Sequence, residues 1–166
     1  MTNEIKVVDN FLPKEDYEHL QKVVTGSMFP WYFQNHCTFE DSEYDPDFYF
    51  THIVYEKNVP ISAFFDTINE KLIEPKLRNC NLIRIKLNCY TRSQELIKNE
   101  KHVDFNFPHK NLIYAFNTCN GFTEFSDGQK VKSVANRAIM FGENMLHNST
   151  NCTDEKARFN VNINYI

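Results

Sequence analysis

A chain of 166 residues is long enough for one sizeable core, and its formal net charge of −4 argues against avid phosphate-backbone binding, which needs a basic surface. With 42% apolar and 24% charged residues, no apolar run of membrane-spanning length and no apolar leader in "MTNEIKVVDNFLPKED", it reads as a soluble cytoplasmic protein. Its five cysteines (Cys37, Cys80, Cys89, Cys119, Cys152) are scattered without a CxxC pair, which suits reduced, mostly core thiols.

From the N-terminus, "LPKEDYEHLQKVVTG" predicts a helix. Pro13 stands near its start, acids follow in the first turn, Tyr17, Leu20 and Val24 share a face, and Gly26 stops it. A second helix is predicted in "VPISAFFDTINEKLIEP", with Ile61, Phe64, Phe65, Ile68 and Leu72 on one stripe, Pro60 opening it and Pro75 closing it. The aromatic stretch between them, "FPWYFQNHCTFEDSEYDPDFYFTHIVYEK", predicts a short strand or two and a long loop.

From Asn81 onward the period changes from helical to alternating. "LIRIKLNCY", "KHVDF", "LIYAFN", "TEFSDGQKVKS", "RAIMFG" and "ARFNVNINYI" are strand candidates, and "SDGQ" suits a hairpin turn. Helices followed by strands predict an α+β chain with a mostly antiparallel sheet, sandwich or barrel, in a single domain over 1–166.

Two of these segments have an unusual polar face. "LIRIKLNCY" alternates Ile83, Ile85, Leu87 and Cys89 with Arg84, Lys86, Asn88 and Tyr90. "RFNVNINY" alternates Phe159, Val161, Ile163 and Tyr165 with Arg158, Asn160, Asn162 and Asn164. Asparagine is a poor strand former. Three in alternate positions fit a polar, partly enclosed cavity better than a solvated sheet face.

"NEKHVDFNFPH" places His102 and Asp104 two apart, on one face if the segment is a strand. Of the other histidines, His19 reads as a helix-surface residue, and His36 and His52 as packing or substrate contacts. His147, in "FGENMLHNST", lies far enough downstream for intervening strands to bring it alongside. Two histidines and one carboxylate leave positions open and suit Fe(II), whereas a closed structural zinc site needs four ligands, usually including cysteine.

Taken together, "HVD" at 102–104, the histidine at 147, the arginine at 158, the upstream "RIKLNCY", "LIYAFN", "NGFTEF" and "NRAIMF" resemble the Fe(II)- and 2-oxoglutarate-dependent dioxygenases, in particular their prolyl 4-hydroxylase-like branch. The resemblance covers residues 81–166 strongly and the helical part, about 1–80, loosely. It implies a double-stranded β-helix, or jelly-roll core, with N-terminal helices packed on one side. It also implies Fe(II) held by His102, Asp104 and His147, and 2-oxoglutarate paired through its distal carboxylate with Arg158. Tyr90, Asn160 and Asn88 are the further expected co-substrate contacts, with Ala115 standing where relatives carry a second tyrosine.

The implied activity uses O2 to hydroxylate a C–H bond of a prolyl, peptide or small-molecule substrate, releasing succinate and carbon dioxide. Nucleic-acid demethylases carry a second arginine six residues after the first, where this chain has Asn164, so alkylated nucleic acid is the lesser substrate reading. A catalytically silent cupin-like binding module is the non-enzymatic alternative, which the four retained site residues disfavour. The "NGFTEFSDG" segment reads as an entrance hairpin without a chemical role.

Overall fold

The two strands with polar faces lie side by side at the centre of a large antiparallel sheet. β11 (Ala157–Tyr165) pairs with β5 (Leu82–Thr91) so that Arg158 faces Tyr90, Asn160 faces Asn88, Asn162 faces Lys86 and Asn164 faces Arg84. In this computed structural model, residues 4–36, 48–143 and 145–166 are described; Cys37 and most of the long loop expected around it lie outside them.

On its other side β11 pairs with β6 (Lys110–Ala115), which is followed by β9 (Arg137–Phe141) and, at the edge, β1 (Lys6–Val8), a strand the sequence pattern did not announce. Beyond β5 come β3 (Tyr49–Glu56) and β2 (Tyr32–Gln34), with the short β4 (Val59–Pro60) on β3. A second sheet of three strands has the order β10-β7-β8, from β10 (His147–Ser149), β7 (Phe122–Phe125) and β8 (Lys130–Lys132). The "SDGQ" turn joins β7 to β8 as expected, with Gly128 at φ 86°. An eight-stranded and a three-stranded antiparallel sheet form the jelly-roll sandwich.

Alternation along the strands divides the apolar residues between two clusters. Ile85, Leu87, Leu112, Tyr114, Val161 and Ile163 join one core with Leu20 and Val24 of α1 (Lys14–Val24) and with Ile68 and Leu72. Burying each such aliphatic side chain stabilises the fold by about 1.5–3 kcal/mol relative to exposure. A smaller cluster brings Ile113 and Ile139, from the opposite face of the large sheet, together with Phe125, Val131, Phe141 and Met145. Asn136, at φ 60°, clips the chain ahead of α1 to the sheet. Its amide accepts from Leu12 N at 2.9 Å and the Tyr114 hydroxyl at 3.0 Å, and donates to Leu12 O at 2.9 Å.

Two sequence expectations need correction. Pro60 does not open the second helix; it lies in β4 opposite Tyr55, and the helix starts only at α2 (Phe65–Ile68). Ile61 is consequently 54% exposed and outside the apolar stripe. Pro75 does not close it either, because the chain passes through a π-helical turn (Asn69–Ile73) into α3 (Glu74–Lys76). Widening the ladder there relieves the clash that a proline would otherwise make with the carbonyl four residues before it.

Candidate metal centre

"KHVDF" is not a strand. Within it His102 makes one isolated antiparallel bridge to His147, exchanging N–H···O bonds of 2.9 and 3.0 Å, and Asp104 follows in an irregular segment. Backbone pairing therefore sets the two imidazoles beside each other, their ring centroids 4.8 Å apart. Each Nδ1 faces a main-chain carbonyl, Glu100 O at 3.3 Å for His102 and Met145 O at 3.0 Å for His147, which points both Nε2 atoms inward. Asp104 completes the set, with Oδ1 3.9 Å from Nε2 of His102 and Oδ2 3.9 Å from Nε2 of His147. One donor atom from each of the three residues lies within 4.8 Å of the others, a geometry that can receive a metal ion.

The Asp104 side chain is 3% exposed. Burial by itself raises its pKa, but Arg84, His147 and the amides of Asn162 and Asn164 outweigh this and hold the carboxyl well below the usual carboxylate range. His102 titrates below an ordinary histidine, first because it is buried and then because His147 is adjacent. A neutral imidazole and an ionised carboxylate are the forms that bind metal.

His102, His147, Asn88, Tyr90, Asn160 and Asn162 line one pocket between the sheets, with Lys86, Ile113, Thr123 and Ser149. The asparagine stripe is thus buried, as its composition suggested: Asn160, Asn162 and Asn164 are 3%, 6% and 0% exposed. Asn88 Nδ2 donates to Asn160 Oδ1 at 2.9 Å, and Ser149 Oγ donates to the Tyr90 hydroxyl at 3.0 Å. Tyr90 stacks on Tyr49 at 5.3 Å.

Arg158 lies behind Tyr90 and Thr123 and is 2% exposed, its guanidinium 5.8 Å from the Tyr90 ring centre. Nη1 donates to Phe122 O and Thr150 O, both at 2.9 Å, and Nη2 to Thr123 Oγ1 at 3.0 Å, leaving buried Nε without a partner. Burial lowers its pKa from the ordinary guanidinium value, partly countered by the Tyr90, Cys119 and Cys152 side chains. Its hydrogen-bond partners are neutral oxygens, so the charge suits an anion entering the pocket.

The structure brings all seven expected site residues to this one region and adds several more. Thr123 and Gly121 come from the "NGFTEF" segment and Thr150 from just beyond the strand facing it, so that segment helps hold the arginine instead of merely forming an entrance. A Cβ on Gly121 would collide with Asn151 O and stand 2.8 Å from Arg158 Cδ; the glycine signals this close approach. Arg84 is the other addition. Its Nη2 donates to Asp104 Oδ1 at 2.9 Å, and only the register Asn164–Arg84 reveals that reach. The polar face opposite Asn164 therefore already carries a guanidinium, supplied by β5.

Elsewhere, His52 packs among Phe29, Tyr32 and Phe64 with its nitrogens on Pro30 O and Ser62 Oγ, both at 2.7 Å. Cys119, Cys152 and Asp154 form a second group of close donor atoms. Its polar atoms are engaged within the loops: Asn120 N donates to both Asp154 oxygens at 3.0 and 2.9 Å, and Cys152 Sγ donates to Glu155 O at 3.5 Å.

The fold is the double-stranded β-helix found in structures of Fe(II)/2-oxoglutarate oxygenases. No protein-family model and no curated sequence matches the chain, whereas several solved structures share its architecture. An oxidoreductase of the 2OG-Fe(II) oxygenase family from Burkholderia pseudomallei aligns with TM-score 0.74 over 97% of this chain and 84% of that one, at 9% identity. A prolyl hydroxylase from Trichoplax adhaerens, in complex with a hypoxia inducible factor peptide fragment, aligns with TM-score 0.63 over 99% and 84%, at 15% identity. A viral collagen prolyl hydroxylase from Paramecium Bursaria Chlorella virus-1, in its 2OG complex, gives 0.60 over 97% and 94%, at 12% identity. Among the described residues, no helix is long and apolar enough to cross a membrane.

Proposed function

We propose that this chain is a single-domain, cytoplasmic Fe(II)- and 2-oxoglutarate-dependent dioxygenase that hydroxylates a C–H bond of a prolyl, peptide or small-molecule substrate. The observation that carries the reading is the pairing of two features around one pocket, the second behind its Tyr90 and Thr123 wall. One is an inward-facing His102–Asp104–His147 set with both Nδ1 atoms tied to carbonyls; the other is a buried Arg158 whose Nε lacks a partner. Both fit the proposed occupants, since two imidazoles and one carboxylate suit Fe(II) with positions left open, and a buried guanidinium suits a carboxylate.

His102, Asp104 and His147 would hold the iron, and Arg158 the distal carboxylate of 2-oxoglutarate. Tyr90, Asn88 and Asn160 would orient that co-substrate from the pocket wall they share. Bound iron with O2 and 2-oxoglutarate supplies the oxidising power for hydroxylation, with succinate and carbon dioxide released. The chain contributes orientation and a site shielded from water by the two sheets. A peptide substrate is favoured by the Trichoplax adhaerens structure, which is a complex with a peptide fragment. The net charge of −4 disfavours nucleic acid.

The test is succinate formation from 2-oxoglutarate by purified protein with added Fe(II), with and without candidate proline-containing peptides and small molecules. Substrate-stimulated succinate is expected. A protein that binds neither divalent metal nor 2-oxoglutarate contradicts the reading and favours the silent cupin-like module. Formaldehyde release from a methylated oligonucleotide would move the substrate class to nucleic acid.

A further inference from the structure

Asp104 is held by three side chains through four contacts. Oδ1 accepts from Arg84 Nη2 at 2.9 Å and from Asn162 Nδ2 at 3.2 Å, while Oδ2 accepts from Asn162 Nδ2 at 2.9 Å and Asn164 Nδ2 at 3.0 Å. These contacts match the roughly four acceptor positions of a carboxylate. The donors are themselves fixed. Arg84 Nε donates to Asn164 Oδ1 at 3.1 Å, and the Arg84 guanidinium lies 4.8 Å from the Phe105 ring centre. Asn164 Nδ2 also donates to Asn111 Oδ1 at 2.7 Å, and Asn111 Nδ2 donates to Gly142 O at 3.3 Å.

The network spans three adjacent strands at one register, Arg84 opposite Asn164 and Asn164 opposite Asn111. Ordering this many polar side chains loses rotamer freedom, and a solvated asparagine stripe would be simpler if the face had only to be polar. Its geometry converges on one carboxylate. The two oxygens are not equivalent, because the charge-assisted bond from Arg84 falls on Oδ1 and Oδ2 accepts only from neutral amides. Each oxygen lies 3.9 Å from one imidazole Nε2, so the donors decide: a metal would displace the weaker ones, and Oδ2 is the oxygen the cradle would surrender.

We propose that Arg84, Asn162 and Asn164 are positioning residues for the metal, holding Asp104 so that it binds the ion through one oxygen while Arg84 keeps the other. The inference rests on the metal-site reading above and extends it to the residues that hold the Asp104 carboxylate. Removing Arg84 has two opposed effects: it takes away a positive charge that repels the ion, and it frees the carboxylate to turn or chelate through both oxygens. Lost second-layer contacts to metal ligands generally weaken affinity tenfold to a hundredfold, so the loss of orientation is expected to win.

The experiment titrates Co(II) into metal-free wild-type protein, Arg84→Met, Arg84→Lys and Asn162→Leu by calorimetry, recording the visible spectrum of the bound ion. Affinity in Arg84→Met should fall by about tenfold to a hundredfold with an altered spectrum. Arg84→Lys, which keeps the charge without the fork, should fall between it and wild type. If Arg84→Met does not fold, Asn162→Leu decides, since it removes two of the four contacts and leaves the ion pair. Unchanged or tighter Co(II) binding by the folded variant, with a wild-type spectrum, overturns the cradle alone. Failure of the wild-type protein to bind Co(II) overturns the metal reading itself.

Discussion

Replacing Arg158 by alanine removes a buried cation behind the pocket and should weaken 2-oxoglutarate binding far more than metal binding. The side chain is 2% exposed and makes three hydrogen bonds of 2.9, 2.9 and 3.0 Å. Losing one partner of a buried charge pair costs about 3–5 kcal/mol, which at roughly 1.4 kcal/mol per decade is roughly a 100- to 5,000-fold rise in Kd. The variant also strands Thr150 O and Thr123 Oγ1, each worth about 1–3 kcal/mol if left dry, while Phe122 O keeps Thr150 N at 3.2 Å, so a lower Tm is expected too. Arg158→Lys separates the two effects: it keeps a cation near these oxygens but cannot present a bidentate fork. The assay is calorimetric titration of 2-oxoglutarate into Mn(II)-loaded protein below the variant's Tm, with the Mn(II) affinity as internal control. A folded Arg158→Ala protein that binds 2-oxoglutarate as wild type does would refute the assignment.

His102→Ala and His147→Ala should each abolish Co(II) binding in a folded protein; retained wild-type affinity removes that residue from the site. Asp104→Ala should do the same but with a clear drop in the Tm of metal-free protein, because Arg84 loses its carboxylate at 2.9 Å. Gly121→Ala, with a Cβ 2.8 Å from Arg158 Cδ, should destabilise by about 1–3 kcal/mol and weaken 2-oxoglutarate binding, measured by thermal melts and the same titration; a silent substitution would contradict the close approach. Burial pushes the Cys89 thiol up to about 12 and, with Cys119 beside it, Cys152 up to about 11. Because the unfolded thiols ionise near the ordinary value of about 8.5, their contribution is complete below that pH and is lost as pH rises towards the folded values. Melts from pH 8 to 10 should therefore show falling stability, with a shallower slope in Cys89→Ala; an identical slope would count against the burial effect.

What the sequence made legible were features carried by local period and residue type. The first helix was marked by Pro13 and Gly26, and the inward polar faces of β5 and β11 by the conflict between asparagine and strand propensity. His102, Asp104 and His147 converge as their residue types suggest, but strand alternation does not place them: "KHVDF" is too short for alternation to distinguish a strand from a single bridge. Pro60 and Pro75 misled because each was read as a helix boundary, whereas an edge pairing and a π-helical turn accommodate them. Arg84, Thr123 and Thr150 were missed because their roles depend on cross-strand register and on the approach of the second sheet, and neither leaves a local trace. Gly121 was the available signal for the arginine clamp, in a chain with only four glycines.

Arg158 grows from a strand of the large sheet, while the oxygens that grip it belong to Phe122 and Thr123 of the small sheet and to Thr150 just beyond β10. On the proposed assignment, an anion at this arginine would be accepted only once those layers have come together, so its binding would be coupled to the closure of the sandwich. Openings that part β7 and β10 from β11 would release the ligand before they exposed most of the core. Amide exchange along the small sheet should accordingly slow when 2-oxoglutarate binds, while α1, on the opposite side of the large sheet, keeps its own rate.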